Sequence, residues 1–437
     1  MQTIDLRIDA AWIVPVEPAG TLTGHALIVD GGKIVALLPT HEADRQYAAR
    51  EHVVRAHHVV IPGLVNAHTH AAMTLMRGIA DDVPLQPWLT RHIWPREGRF
   101  VSPEFVHDGT LLGCAEMLRG GITACNDMYF YPGDAARAYE EAGMRALVGM
   151  PVLDFPTAYA ADAEAYLARG LEARDAWKRV PHLAFALAPH APYTVGDPTF
   201  ARIVTYARQL DLPIQTHLAE TQSEVDEARA ATGVSTLARL DTLGATGPNF
   251  IAIHAVHLDD RDVATLVRHR CHVVHCPASN MKLASGIAPV AKLVDAGINV
   301  ALGTDGAASN NRLDLLSEMR LASLLAKVST GNAAALPAAT VLAMATIHGA
   351  RALGFDDLTG SLRPGKDADV VAIDLCGVTA EPVFDPVSHL VNVAERADVT
   401  DVWARGRRMV QGGALVALDA NSILSRVRVW QQRLASA

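Results

Sequence analysis

Eight short apolar runs, each followed by a longer stretch with helical spacing and a polar face, fill the middle of the chain: 59–66, 122–128, 145–154, 183–189, 213–219, 249–255, 272–278 and 299–305. Parallel strands need a crossover helix between them, so a strand-then-helix unit repeated eight times predicts a (β/α)8 TIM barrel. Segments 160–179, 198–210, 223–239 and 312–327 read as outer helices. Pro337 at a helix start and Gly354 past its end bracket another. The flanks differ: residues 1–58 alternate short strands with tight turns such as Gly31-Gly32, and β character returns after 360. The expected organisation is a catalytic barrel over 59–359 and a small composite β-sandwich domain built from 1–58 and 360–437.

Composition removes several classes of function. Lys and Arg total 38 against 47 Asp and Glu, a net charge of −9, so there is no basic field to attract a phosphate backbone and nucleic acid is not an expected partner. Cys114, Cys125, Cys271, Cys276 and Cys376 are scattered, with no C-x-x-C pair for zinc or redox chemistry, which fits a reducing cytoplasm. The N-terminus lacks a basic then apolar leader, and the longest weakly polar stretch, 333–347, carries a Pro and two Thr, so no membrane association is expected. What composition leaves unexplained is an excess of histidine, 19 in all.

The histidines fall where a barrel does its chemistry, at the C-terminal ends of strands. Run one ends in His68-Thr-His70, run four in His190, run five in His217-Leu-Ala-Glu220, run six in His254-Ala-Val-His257, and run eight in Thr304-Asp305. His68 and His70 are two residues apart, so on a strand they share a face and can reach one ion. His217 and Asp305 complete a nitrogen and oxygen donor set that suits one zinc, with ferrous iron as the alternative. Run four, Leu183 to Ala188, offers neither the Lys nor the Glu that a bridged metal pair would need, so the expected site is mononuclear.

Such an ion lowers the pKa of bound water to roughly 7, and the hydroxide then needs an electrophile and a proton shuttle. Glu220 lies just off its strand end, where its carboxyl group can face a substrate; as Glu220-Thr-Gln-Ser-Glu it also reads as an acid at a helix start. His254 or Asp305 can take or orient the proton, with His257 ranked behind them because it lies further into a loop.

Four strings, Pro62-Gly-Leu-Val-Asn-Ala-His-Thr-His, His217-Leu-Ala-Glu-Thr, His275-Cys-Pro-Ala-Ser-Asn-Met-Lys-Leu-Ala-Ser-Gly and Gly303-Thr-Asp-Gly-Ala-Ala-Ser-Asn-Asn, resemble the amidohydrolase superfamily. More narrowly, they are similar to its 5′-methylthioadenosine/S-adenosylhomocysteine deaminases. The resemblance implies hydrolytic loss of the 6-amino group of an adenosine derivative, with His68, His70, His217 and Asp305 as ligands of one zinc and Glu220 with His254 as the catalytic pair. It also implies that Glu97 and His190 contact the ribose and base side, and that Trp88 supplies an apolar wall, although Trp88 equally suits core packing. Barrels of this kind commonly form homo-oligomers.

One departure stands out. Some relatives carry an arginine after the third strand, suited to the homocysteine carboxylate, where this chain has Met150; Arg91 is the candidate substitute. A methionine-lined pocket would favour the short apolar tail of methylthioadenosine. The same scaffold could instead serve guanine, an oxidised purine or a triazine, or a catalytically inert barrel could serve binding or assembly.

Overall fold

The computed structural model describes residues 1–435. Sixteen strands form two sheets: β1 Gln2–Ile13, β2 His25–Asp30, β3 Lys33–Pro39, β4 Tyr47–Pro62, β5 Leu64–Thr69, β6 Ile122–Met128, β7 Arg145–Val152, β8 Leu183–Pro189, β9 Ile214–Leu218, β10 Phe250–His254, β11 His272–His275, β12 Asn299–Leu302, β13 Val370–Asp374, β14 Val399–Ala404, β15 Arg407–Gln411 and β16 Ala414–Leu415. Strands β5 to β12 pair in parallel in sequence order, with helices between them. The ring returns to its start through the chain after β12: the N–H groups of Thr304 and Asp305 both donate to the His68 carbonyl, at 3.1 and 3.0 Å. This is the TIM barrel the apolar runs predict, and its closing bonds bring Asp305 to the His68 strand.

The N- and C-terminal strands form one continuous sheet in the order β16-β15-β14-β13-β4-β1-β2-β3. It folds over so that Leu27, Val29 and Ile34 share a core with Val370, Ala372 and Trp403, which gives the composite domain its sandwich-like interior.

Several boundaries differ from the sequence expectation. The first apolar run, 59–66, is divided at Gly63: its first half ends β4 in the terminal sheet, and its second half begins the barrel. A side chain at Gly63 would place its Cβ 2.0 Å from the Thr123 hydroxyl, so the crossing between the two sheets needs glycine. Segment 223–239 is two helices, 222–232 and 236–242, parted at Gly233. The 337–354 segment also breaks in two, because the Ala345 carbonyl accepts the Val65 N–H of the barrel and Thr346 leaves helical geometry.

The segment 360–437 is not wholly β. Its last helix, 420–435, lies on the barrel helix 103–119, where Arg426 and the Trp430 indole N–H reach Asp108 at 2.9 and 3.0 Å. No described helix is long and apolar enough to cross a membrane.

Candidate metal centre and substrate pocket

His68 is fully buried, and neither of its ring nitrogens has a hydrogen-bond partner. An imidazole placed so is costly unless something else engages it. Its ring lies 4.7 Å from that of His70 and 5.1 Å from that of His217, with 5.3 Å between the latter two. Asp305 Oδ1 stands 3.4 Å from His68 Nε2 and 3.2 Å from His70 Nε2. The donors fall into two overlapping groups, His68 with His70 and Asp305, and His68 with His217 and His254; within each group the ligand atoms lie within 4.8 Å of one another.

The remaining hydrogen bonds aim these donors. The Nδ1–H of His70 donates to the Met128 carbonyl and that of His217 to the His190 carbonyl at 2.6 Å, which leaves Nε2 of each as a lone-pair donor for a metal. Asp305 Oδ2 accepts the hydroxyls of Ser279 (2.6 Å) and Ser309 (2.8 Å), leaving Oδ1 toward the histidines. Burial pushes His68 down to about 4, and the neighbouring His70 charge adds to that against the pull of Asp305. Burial also acts against His70, but its hydrogen bond to Asp305 and the Asp305 charge win and raise it to about 9. A buried set of nitrogen and carboxylate donors this close together, with both His68 ring nitrogens lacking a hydrogen-bond partner, fits a zinc-type ion.

The strand ends are bent to make this convergence. His254 and Asp305 have φ of +69° and +59°, and Ala219 and Ala255 both have +49°. Left-handed backbone at non-glycine residues costs of order 1–3 kcal/mol each and clusters at functional sites.

His254 donates from Nδ1 to Asn280 Oδ1 at 2.9 Å, and its Nε2 faces Glu220 Oε2 at 3.8 Å. Glu220 is buried, its Oε1 accepts the Ser285 hydroxyl at 3.2 Å, and burial pushes its carboxyl above the usual range against the His254 charge. His257, the second candidate for proton transfer, is held in a loop clamp: its Nε2 donates to the Ser285 carbonyl at 2.6 Å.

The pocket over this cluster, with the open space of its mouth, takes in about 770 Å³. His190, Glu220, His254 and Asp305 line its floor, while Trp88, Leu89 and Glu97 come from the segment that follows the first strand. Trp88 is buried on a π-helical turn, 88–93, and its indole N–H has no partner. Glu97 accepts the Tyr129 hydroxyl at 2.8 Å; enclosure pushes its carboxyl up, against that bond. His190 donates from Nδ1 to the Thr194 oxygen at 3.0 Å, and burial lowers it to about 3, so it is neutral.

Two expectations about the substrate tail do not hold. Met150 faces away from the pocket: period-2 alternation on β7 sends Leu147 to the barrel interior and Met150 to the helix layer, where it packs on Gly170. The methionines that line the pocket are Met73 and Met128. Arg91 is exposed and does not line the pocket, so it is no substitute cation.

Sequence reasoning did not assign Ser279, Asn280, Ser285, Ser309, Tyr129, Thr194 or Glu224. Three of them lie in the His275 to Gly286 string, whose polar residues in a buried stretch were the available signal.

Residues 59–409 match the model of the amidohydrolase family. The chain is 46% identical over 431 residues to a 5-methylthioadenosine/S-adenosylhomocysteine deaminase from Saccharophagus degradans, covering 98% of this chain and 97% of that one. It is 44% identical over 371 residues to a 5′-deoxyadenosine deaminase from Methanothermobacter thermautotrophicus, with 84% and 85% covered. Among solved structures it is similar to an adenosine deaminase from Xanthomonas campestris with bound zinc, at a TM-score of 0.98, 46% identity and full coverage of both chains. An atrazine chlorohydrolase from Arthrobacter aurescens shares the fold at 23% identity, a TM-score of 0.90 and coverage of 98% of this chain and all of that one.

Proposed function

Since the chain belongs to the amidohydrolase family, we propose that it is a zinc-dependent hydrolase that removes the 6-amino group of an adenosine derivative with an uncharged 5′ substituent, of which 5′-methylthioadenosine is the type, giving the inosine analogue and ammonia. The observation that carries this reading is the meeting of the buried Glu220 carboxyl and His254 Nε2, 3.8 Å apart, at the edge of the histidine and Asp305 cluster. A buried acid beside a buried base is the pairing that a ring amidine requires.

His68, His70, His217 and Asp305 would hold the ion. When bound, zinc acts as a Lewis acid that makes water nucleophilic at neutral pH. Glu220 donates its proton to N1 of the adenine ring as the water oxygen bonds to C6. His254 takes a proton from that water at Nε2, with Asn280 fixing its ring. The proton passes to the 6-amino nitrogen, the C6–N bond breaks and ammonia leaves, while the remaining proton of the C6 hydroxyl returns to Glu220; the ring keeps the proton on N1 and a carbonyl oxygen on C6. His190, neutral and donating from Nδ1 to Thr194, has Nε2 free to accept from the exocyclic amine on the base side. Glu97, with one oxygen bound to Tyr129, offers the other to the ribose hydroxyls. That carboxylate favours a nucleoside over a free base or a triazine.

The absence of Lys or Arg from the described pocket lining supports a neutral tail over the zwitterion of S-adenosylhomocysteine. All five cysteines are free, four of them buried, which supports a reducing cytoplasmic setting. The test is metal analysis coupled to an ammonia-release assay with 5′-methylthioadenosine, S-adenosylhomocysteine and adenosine. Methylthioadenosine turnover that tracks zinc content is expected; equal activity in metal-free protein would overturn the proposal.

A further inference from the structure

The string His275 to Gly286 supplies Ser279 and Asn280 to the site, but its lysine takes no part in the chemistry described above. Lys282 ends the helix 277–282, and its side chain is only 16% exposed. An ammonium group has three protons to place. All three have acceptors here: Asp81 Oδ1 at 2.6 Å, Asn311 Oδ1 at 2.6 Å and the Ala308 carbonyl at 2.9 Å. Asn311 also donates its amide to both Asp81 oxygens, at 3.3 Å each. Lys282 thus joins the segments after β11 and β12, which carry the Ser279 and Ser309 hydroxyls on Asp305, to a third segment.

That third segment, 78–92, covers the pocket. Its Leu85, Trp88 and Leu89 line the pocket wall, while Glu220, His254 and Asp305 on the floor are only 1–5% exposed. Side chains so enclosed are reached by a nucleoside-sized molecule when part of the enclosure moves, and this part is weakly held. Among the described residues, beyond local turns and its own helix, the only hydrogen bonds and ion pair from 78–92 to the rest of the chain run from Asp81 to Lys282 and Asn311. The backbone on either side of Asp81 is left-handed, at φ +71° for Gly78 and +62° for Asp82. A Cβ at Gly78 would meet nothing within 4 Å, so this glycine serves the backbone rather than packing. A few such positions are where a loop absorbs the dihedral change of a hinge. Beyond them the buried Trp88 indole N–H has no partner. Few polar ties mark a segment of low local stability.

We propose that the Lys282–Asp81 ion pair is the latch of a hinged cover. Lys282 is then a positioning residue: it holds 78–92 over the bound nucleoside and releases it, by rotation at Gly78 and Asp82, for entry and exit. For the identity of that nucleoside the inference rests on the deaminase reading. Because Lys282 also bonds the segment that carries Ser309, the latch closes onto the same framework that aims Asp305. With the Asp81 side chain 44% exposed, solvent screens the pair. A pair of that kind biases an equilibrium by about two- to fivefold, which favours the closed cover without trapping product.

The test compares wild type with D81A, an exposed position outside the pocket lining, as zinc-loaded full chains. Hydrogen exchange read by mass spectrometry should show the amides of 78–92 exchanging about two- to fivefold faster in D81A, with the barrel strands unchanged. KM for 5′-methylthioadenosine and the inhibition constant of 5′-methylthioinosine should both rise by about the same factor, while kcat and zinc content do not fall. Raising NaCl from roughly 0.05 to 0.5 M should move the wild type toward D81A in exchange and in KM and leave D81A where it is. That measurement needs no variant, so it decides the matter if D81A does not fold. Exchange in 78–92 unmoved by D81A or by salt, or a loss of kcat or zinc at unchanged KM, overturns the latch and leaves the deaminase reading intact. If the wild type releases ammonia from no adenosine derivative, the deaminase reading fails, and the exchange measurement still decides the latch.

Discussion

The Glu224 carboxylate accepts the backbone N–H of Glu220 at 2.9 Å, and its other oxygen accepts that of Ala219 at 3.0 Å. Glu224 lies in the first turn of helix 222–232, so one short helix both caps the end of β9 and carries its own support for Glu220. Ala219 is left-handed, at φ +49°. The two bonds fix the bend that turns the Glu220 side chain into the pocket.

Removing this brace should therefore affect chemistry more than binding. In E224A two buried N–H groups lose their acceptor, at a cost of roughly 1–3 kcal/mol each, and kcat for methylthioadenosine should fall tenfold or more with KM changed less than threefold. Steady-state kinetics on zinc-loaded protein check this, with E224D as the conservative control. Equal losses in kcat and in metal content would mean that Glu224 supports the metal ligands rather than Glu220.

Glu220 itself should be indispensable to turnover and dispensable to metal binding, since its carboxyl contacts Ser285 and faces His254. E220Q keeps the shape but has no proton to give, and we expect zinc occupancy to stay full while kcat drops by roughly 10²–10⁴-fold, the usual loss for an acid–base group. Metal analysis and ammonia release on the same preparation provide the measurement; near-normal turnover would remove Glu220 from the mechanism.

His68 makes the complementary case. It belongs to both overlapping donor groups, and its ring nitrogens have no other partner. H68A should lose zinc and deamination together, and chelation of the wild-type protein should abolish activity that zinc then restores. Chelation should also lower the thermal midpoint, because an ion that binds only the folded state stabilises it. An unchanged midpoint on metal removal would speak against a buried site.

Much of this was legible in the chain because strand and helix periods are local. The eight runs located the barrel strands, and the residues at their ends located His68, His70, His190, His217, His254 and Asp305. What was not legible depends on contacts distant in sequence. The split of 59–66 at Gly63 follows from the approach of Thr123, and the outward face of Met150 follows from register on β7, which the string Val-Gly-Met-Pro-Val does not reveal. Glu224 and Ser285 act on Glu220 through bonds made only once their loops have folded, and as isolated residues they look like a helix acid and a loop serine.

Glu318 yields a prediction about pH. It is buried beneath the site, where it accepts the Ala278 N–H at 3.0 Å and the Asn310 amide at 2.7 Å, and so ties together the segments that carry Ser279 and Ser309. Burial, only partly offset by these two bonds, pushes its carboxyl up to about 8. A carboxyl raised in the folded state binds its proton more tightly there than in the unfolded chain. Its contribution to stability is therefore full below the ordinary glutamate range and is lost as pH rises through about 8. Across that window one such group changes the unfolding free energy by at most about 1.4 kcal/mol per pH unit. Denaturant unfolding of zinc-loaded wild type and E318Q between pH 5 and 9 isolates it. The wild type should lose stability relative to E318Q as pH rises, because the amide does not ionise. Parallel curves would mean that the two donors hold Glu318 ionised throughout, as an anionic tie between the helices that follow β11 and β12.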